Sequence, residues 1–551
     1  MRFFPLLVIA SLFVGCALIG PDFERPESSF SSKWIESEDS RLAVKEDDYR
    51  EWWKNFNDPI LTRLVGLAYA QNLSLRAAGV KILTSRAQLG MAIGDFYPQS
   101  QKLDGLVWDM HLPKSGPSER LASGTSPGTS FWYDRLGPTV NWEIDVWGKF
   151  RRAIESADAS MLQQVANYDS MLVSLIGDVA NNYIGLRTLE RQIDIARSNI
   201  EVQRGALKIA DSKFKGGSSS RRDVEQAKTV LASTQAMIPK LEALLRVNKN
   251  MLCYLLGQPP QDVESLLGDG KYFGNIPTPP VQVAVGIPLD LLRRRPDIRE
   301  AEYEAQAQSA QIGVAKAQLY PAFSISGSFA FVSSSASGHS LSDIFAWGNN
   351  FYRFGPGFQW NILNYGQITN QVRYNDAKYQ SLIISYQDKV LKAQQEVENS
   401  LIMFLKMQDS AEFLAQSTAA AKRSLDLATL QYREGIADFT TVLTAEQALL
   451  KQQDSFAQTL GEVAGSLVLA YRSMGGDGRS ARVAILSQKR FVRRWRIGPL
   501  GGLSCRPSSQ KQGPPRATSE HRSGKDGNFK KSRISLAYSK SSKIFCPQSF
   551  A

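Results

Sequence analysis

The chain runs to 551 residues with 43% hydrophobic content, enough for a sizeable core and several domains. Its net charge of +12 is lopsided: residues 477–551 hold 17 Lys/Arg against 3 Asp/Glu. What precedes them is slightly acidic, which excludes a basic nucleic-acid groove in the main body. Cysteines at 16, 253, 505 and 546 and histidines at 111, 339 and 521 form no CxxC or Cys/His cluster. No metal site, disulfide framework or cofactor is readable from them. Cys253, in the helical run MLCYLL, reads as a small buried residue.

In chain order, the first element is an address. One Arg and an apolar run from Phe3 to Val14 have the form of a secretory signal, too short to span a membrane as a helix. The run ends at Gly15-Cys16, which resembles a bacterial lipobox although Phe13 stands where Leu is preferred. Cys16 is then the lipidated first residue of the mature chain, and Ala17 after it resembles the outer-membrane-sorted class. No later apolar run reaches the ~18 residues of a spanning helix, so any further membrane entry must be as a β-barrel.

The body of the chain is written twice. RAQLGMAIGDFYP (86–98) pairs with SAQIGVAKAQLYP (309–321), and RLGPTVNWEIDVWG (135–148) pairs with RFGPGFQWNILNYG (353–366). KFKGGSSSRRDVEQA (213–227) pairs with QYREGIADFTTVLTA (431–445) at the same spacing as the second pair. Between Gly148 and Gly217, and between Gly366 and Gly435, nothing is inserted. Leu172, Val179, Leu186, Ile193 and Ile200 through Phe214, matched by Val390, Val397, Phe404, Ala411 and Leu425 through Tyr432, keep a heptad spacing that predicts coiled-coil helices roughly 100 Å long. Shorter helices are expected over 58–95, 220–256, 288–318 and 437–474, with a proline-rich crossover at 257–287.

Strands are predicted ahead of each long helix. Val140, Trp142, Ile144 and Val146 share one parity and Asn141, Glu143 and Asp145 the other. In the second copy Phe358, Trp360 and Ile362 alternate with Gln359 and Asn361. Phe323, Ile325, Phe329 and Phe331 alternate with serines, and Leu106, Trp108 and Met110 alternate more weakly. The pattern also fits a soluble hairpin, but the export signal and the long polar loops at 112–129 and 333–349 favour a membrane barrel. Four strands cannot close a barrel alone, so copies of the chain must share one. Trp142 is then expected to face lipid. Asn141, Glu143, Asp145, Gln359 and Asn361 are expected to face the lumen.

Together the lipobox followed by GPDFERP, the two repeats, the four strands and the long helices resemble the TolC-like outer-membrane efflux proteins, in particular their NodT-type lipoprotein branch. The resemblance covers about residues 16–476. It implies a mixed fold: a homotrimer whose chains each give four strands to a twelve-stranded membrane β-barrel in outer-membrane lipid, continued by an α-helical coiled-coil barrel through the periplasm. It implies a periplasmic adaptor and an inner-membrane RND pump as partners, with drugs, toxic compounds or metal ions conducted passively. The aperture would lie at the helix tips, near the turns at Gly216, Gly217 and Gly435. There Asp223 and Tyr432 match two positions of the family's gate lock, while Ala437 stands where its arginine would be. Thr441 and Thr444, with Thr440 nearby, stand where an acidic ring can occur, which implies weak cation selection.

The division expected is a signal peptide at 1–15, a lipidated segment at 16–57, a first repeat at 58–256 with its hairpin at 99–147, the crossover at 257–287, and a second repeat at 288–476 with its hairpin at 321–363. The tail at 477–551 is basic and reads as disordered. Two other readings compete: a type I secretion duct and a structural trimeric coiled coil, the latter leaving the hairpins unexplained. An enzyme is disfavoured, since there is no Walker loop, no HExxH and no credible triad, and GDGKYFG lacks P-loop spacing.

Overall fold

The computed structural model describes residues 18–27, 33–43, 49–111, 130–280, 282–285, 294–335 and 339–476. Cys16, the loop at 112–129 and the basic tail lie outside them. The main elements are α1 (Pro59–Gln71), α2 (Leu73–Gly94), β1 (Ser100–His111), β2 (Ser130–Ile144), α3 (Lys149–Lys215), α4 (Arg221–Leu255), α5 (Pro296–Ala317), β3 (Ala322–Ser334), β4 (Asn350–Gln359), α6 (Gln367–Glu434) and α7 (Phe439–Ser473).

The duplication is visible in these bounds. α3 starts at Lys149 and α6 at Gln367, 218 positions later, and the same spacing separates α4 from α7 at both ends. α3 has 67 residues and α6 has 68, each about 100 Å of helix. Each starts after a glycine in the left-handed region, Gly148 (φ 79°) and Gly366 (φ 84°), where a side chain would be strained. The sequence's single helix over 58–95 is two. Asn72 ends α1 and caps α2, its side chain accepting Leu75 N–H and donating to Leu255 C=O. Of the helix expected from 288, residues 286–293 lie outside the described residues; α5 runs from Pro296, with Arg295 extended ahead of that proline.

The strands form one antiparallel sheet in the order β1-β2-β3-β4, so the two hairpins are joined through β2 and β3, and β1 and β4 are its edges. Below the sheet, α3 packs against α2 and α4 of its own repeat and also against α5 and α7 of the second. The apolar core is densest around the middle of this bundle. There Leu186, Val179 and Tyr183 of α3 meet Leu61 and Leu64 of α1, Phe404 of α6 and Leu467 and Tyr471 of α7. A second cluster at the far end joins Ala206, Ala210, Val224, Leu425, Tyr432, Phe439 and Val442.

The crossover is packed rather than looped. Val263, Leu267, Val283 and Val285 are buried in the main core, and Val283–Ala284 pairs in parallel with Leu42–Ala43 of the N-terminal segment. A buried ion pair supports this region. Arg187 bonds Glu190 at 2.7 Å, Leu267 C=O at 2.7 Å and the Tyr183 hydroxyl at 3.1 Å. Among the described residues no helix is long and apolar enough to cross a membrane.

Candidate functional site

Register assigns each strand residue to a face, because directly opposed residues share one. One face carries Leu103 and Val107 of β1, Leu136 and Val140 of β2, Ile325 and Phe329 of β3, and Tyr352, Phe354 and Phe358 of β4. The other carries Lys102 and Asp104, Thr139 and Asn141, Ser324, Ser326 and Ser328, and Arg353 and Gln359. Thr139 donates to Asp104 at 2.8 Å across this polar side. The sheet therefore has one oily and one wet surface, as a barrel wall between lipid and water requires.

Several sequence assignments are corrected here. Leu106, Trp108 and Met110 lie on the polar face, opposite Arg135, Tyr133 and Phe131, with Trp108 and Tyr133 6.4 Å apart between ring centroids. The weak alternation in β1 had the right period and the wrong phase. Val146 and Asp145 are not strand residues, since β2 ends at Ile144. Asp145 instead accepts the backbone N–H groups of Phe150 and Arg151 and pairs with the Arg151 side chain, capping α3. Asn361 and Ile362 lie past the end of β4. Glu143 keeps the parity of Asn141 but is ion-paired to Lys149 at 2.9 Å. Of the 333–349 loop, 333–334 end β3 and 336–338 lie outside the described residues, while short 3-10 turns over 341–349 bring Phe345 and Trp347 onto Phe331.

Trp142 does not simply face outward: its indole N–H donates to Phe96 C=O at 3.2 Å, tying the base of β2 to the end of α2. Trp360 makes the same tie to Leu319 C=O at 3.0 Å in the second repeat. Sequence reasoning missed the corner beside them. Arg152, 2% exposed, ion-pairs with Asp22 and Glu155 and donates to the carbonyls of Ile19 and Gly20. Ile19 N–H in turn donates to Trp147 C=O. Gly20 presses on Gly313 so closely that a Cβ on Gly313 would stand 2.7 Å from Ile19 O. The start of the described chain is thus clamped where strands become helices. An arginine in the first turn of α3, eight residues past the strand, was the available signal.

At the opposite end the helices reverse. Gly217 (φ 74°) and Gly435 (φ 80°) hold the left-handed positions, and Ser218 N–H and Ile436 N–H return to Lys213 and Gln431 C=O in Schellman closures. Gly216 sits at φ −80°, needing no such freedom. Asp223 lies in the first turn of α4 and accepts the Ser220 hydroxyl at 3.0 Å. Tyr432 is buried against Phe439, ring centroids 5.0 Å apart, and its hydroxyl has no hydrogen-bond partner among the described residues. Burial raises its phenol; the nearby Ser219 hydroxyl offsets part of that rise and the Asp223 carboxylate adds to it. No hydrogen bond joins the two. The cation at Tyr432 is Lys213, whose ammonium sits 4.7 Å from the ring centroid and donates to Tyr432 C=O. Ala437, at the position matched to an arginine, has its N–H on Gln431 C=O. Thr440, Thr441 and Thr444 form an exposed stripe on α7, away from the tip core. Among the described residues no cluster of His, Cys, Asp and Glu could hold a metal ion.

An amphipathic four-stranded sheet mounted on helices about 100 Å long suits a channel wall, and comparison with known proteins agrees. The sequence model of the outer membrane efflux protein family matches residues 64–258 and 287–476. The chain belongs to that family. The efflux protein is 29% identical over 458 residues to nodulation protein T of Rhizobium leguminosarum bv. trifolii, covering 82% of this chain and 92% of that one. It is 28% identical to the pyoverdine export outer membrane protein OpmQ of Pseudomonas aeruginosa, over 86% of this chain and 97% of that one. Among solved structures, the outer-membrane channel OprN superposes with a TM-score of 0.76 at 28% identity, over 84% of this chain and 99% of OprN. The efflux protein is an outer-membrane channel component of an efflux system.

Proposed function

We propose that three copies of this chain form a conduit in which their sheets make one twelve-stranded barrel and their helices a periplasmic tunnel. The observation that carries this is the four-stranded sheet itself: two-faced, open at both edges and too small to close alone. Cys16 anchors the rim to lipid, and the chain entering the corner at Leu18 supports that placement. A periplasmic adaptor and an inner-membrane RND pump feed the tunnel, and substrates move passively outward.

The aperture lies at the helix tips. The contact of Lys213 with Tyr432 joins the first repeat's hairpin to the second's, and supports a closed tip fastened by a cation where the family's lock uses Arg. The exposed threonines of α7 line the constriction and leave it polar and uncharged. Conductance of the purified full-length protein in planar bilayers tests the reading. Discrete channels are expected, larger after Asp223→Ala with Tyr432→Ala; silence from both proteins would sink it.

A further inference from the structure

Between β3 and β4 the chain folds back onto the sheet. Of its two 3-10 turns, Leu341–Phe345 packs on β2 and β3, and Trp347–Asn349 packs on β3. Register decides which face they cover. Phe331 meets Phe345 and Trp347 at 6.0 and 6.4 Å between ring centroids, and it opposes Leu136 on the oily face. Asp134 and Ser333 oppose each other on that same face. They are only 2% and 3% exposed, and the Ser333 hydroxyl donates to Ser340 C=O at 3.4 Å. A carboxylate on the lipid side of a barrel wall is costly. The cap encloses this one.

The cap is itself built to meet an apolar neighbour. Residues 339–352, HSLSDIFAWGNNFY, hold no Lys or Arg and one acid, Asp343. That carboxylate is satisfied internally, accepting Ser340 N–H at 2.8 Å in a capping box. Ala346 N–H returns to Asp343 C=O, Asn349 N–H to Ala346 C=O and the Asn349 side-chain amide to Asp343 C=O, each at 2.9 Å. The polar groups close on one another and the rings are left outside: Phe345 is 66% and Trp347 74% exposed. Tyr352 and Phe354 of β4 and Trp132 of β2 are exposed on the same oily face.

Building on the barrel reading, we infer that this cap is a foot seated in the outer leaflet, with Phe345 and Trp347 at the boundary between lipid headgroups and acyl chains. It sits at the end of the sheet opposite the strand-to-helix junctions, which in that reading is the outer end. Three observations choose lipid as the occupant. The cap lies on the oily face, so it stands outside the lumen instead of over it. It rests on the two inner strands, away from the edges β1 and β4 where another copy would join. It extends the apolar surface of Tyr352 and Phe354 without a basic residue, so aromatic burial at the interface drives the contact, with no pull on lipid phosphates.

Spin labels read the depth. In a Cys505→Ser, Cys546→Ser background, labelled in parallel to subtract Cys16 and Cys253, nitroxides are placed singly at Trp347→Cys, Phe354→Cys and Arg353→Cys. The full-length protein is reconstituted in phosphatidylcholine vesicles. Oxygen dissolves in the bilayer, whereas a nickel chelate stays in water. The oxygen-to-nickel accessibility ratio should be several-fold higher at Trp347→Cys and Phe354→Cys than at Arg353→Cys. A ratio at Trp347→Cys no higher than at Arg353→Cys, with Phe354→Cys oxygen-rich, overturns the foot and leaves the barrel intact. Phe354→Cys no richer in oxygen than Arg353→Cys overturns the barrel reading as well. Phe345→Ser with Trp347→Ser should keep the parent's single-channel conductance; a larger conductance would place the loop over the pore and also overturn the foot.

Discussion

Glu446 is the residue whose chemistry stands out. It sits on α7, 3% exposed, with Val442, Leu443 and Leu449 of the tip cluster around it in the helix, and one carboxylate oxygen has no partner among the described residues. Burial pushes its carboxyl up to about 7. A carboxyl raised on folding favours the protonated folded state, so its penalty is absent below the unfolded value. The penalty grows as pH climbs from about 4.5 to about 7. Glu446→Gln should therefore raise the thermal midpoint at pH 8, change it little near pH 5, and flatten the profile between; an equal shift at both pH values would refute this. Its position reads as an ordinary heptad polar residue, and no local pattern in the sequence marks it as buried.

At the scale of elements, helix length, repeat spacing and the tip glycines were legible because a gap-free repeat constrains length and only glycine takes the left-handed turn without strain. Strand phase was legible in β2, β3 and β4, where Val140, Trp142, Phe323, Ile325, Phe329, Phe331 and Phe358 fall on one face by register. It was not legible in β1, because Leu106 and Trp108 occupy the wet face and only register exposes it. Strand ends were lost because Asp145 and Asn361 keep the alternation after hydrogen bonding has stopped. At the tip, Tyr432 was singled out by the sequence, but the cation beside it is Lys213 rather than position 437, and the gate role of both belongs to the proposed function. Lys213→Met keeps the stem and removes the charge, so single-channel recordings should show more frequent opening, with Lys213→Arg near the parent. The clamp at the corner is testable too. Gly313→Val sets a side chain against Ile19 and Arg152, and should expose residues 18–27 to protease while the helical core stays resistant.

For the molecule as a whole, on the proposed barrel reading, lumen charge is set by pairs rather than by the acids the sequence offers. Glu143 is matched by Lys149, and Asp145 is consumed as a helix cap. Glu143→Gln unmasks a cation, so the reversal potential in a salt gradient should move toward anion preference. Glu143→Gln with Lys149→Gln should restore it. A shift that persists in the double variant would mean the pair does not govern the field.

The open edges of β1 and β4 also carry a kinetic consequence. In the ring proposed above, half of the seams form inside a chain, at a rate independent of concentration. The other half must wait for encounter, while each lone copy displays unpaired backbone and the exposed apolar residues of α6. The features that select the correct neighbour are those that would nucleate filaments or tangles during the wait. The lifetime of the solitary chain, more than the stability of the finished ring, should then decide how much protein reaches the membrane. Lowering synthesis rate should cost less yield than proportionality predicts.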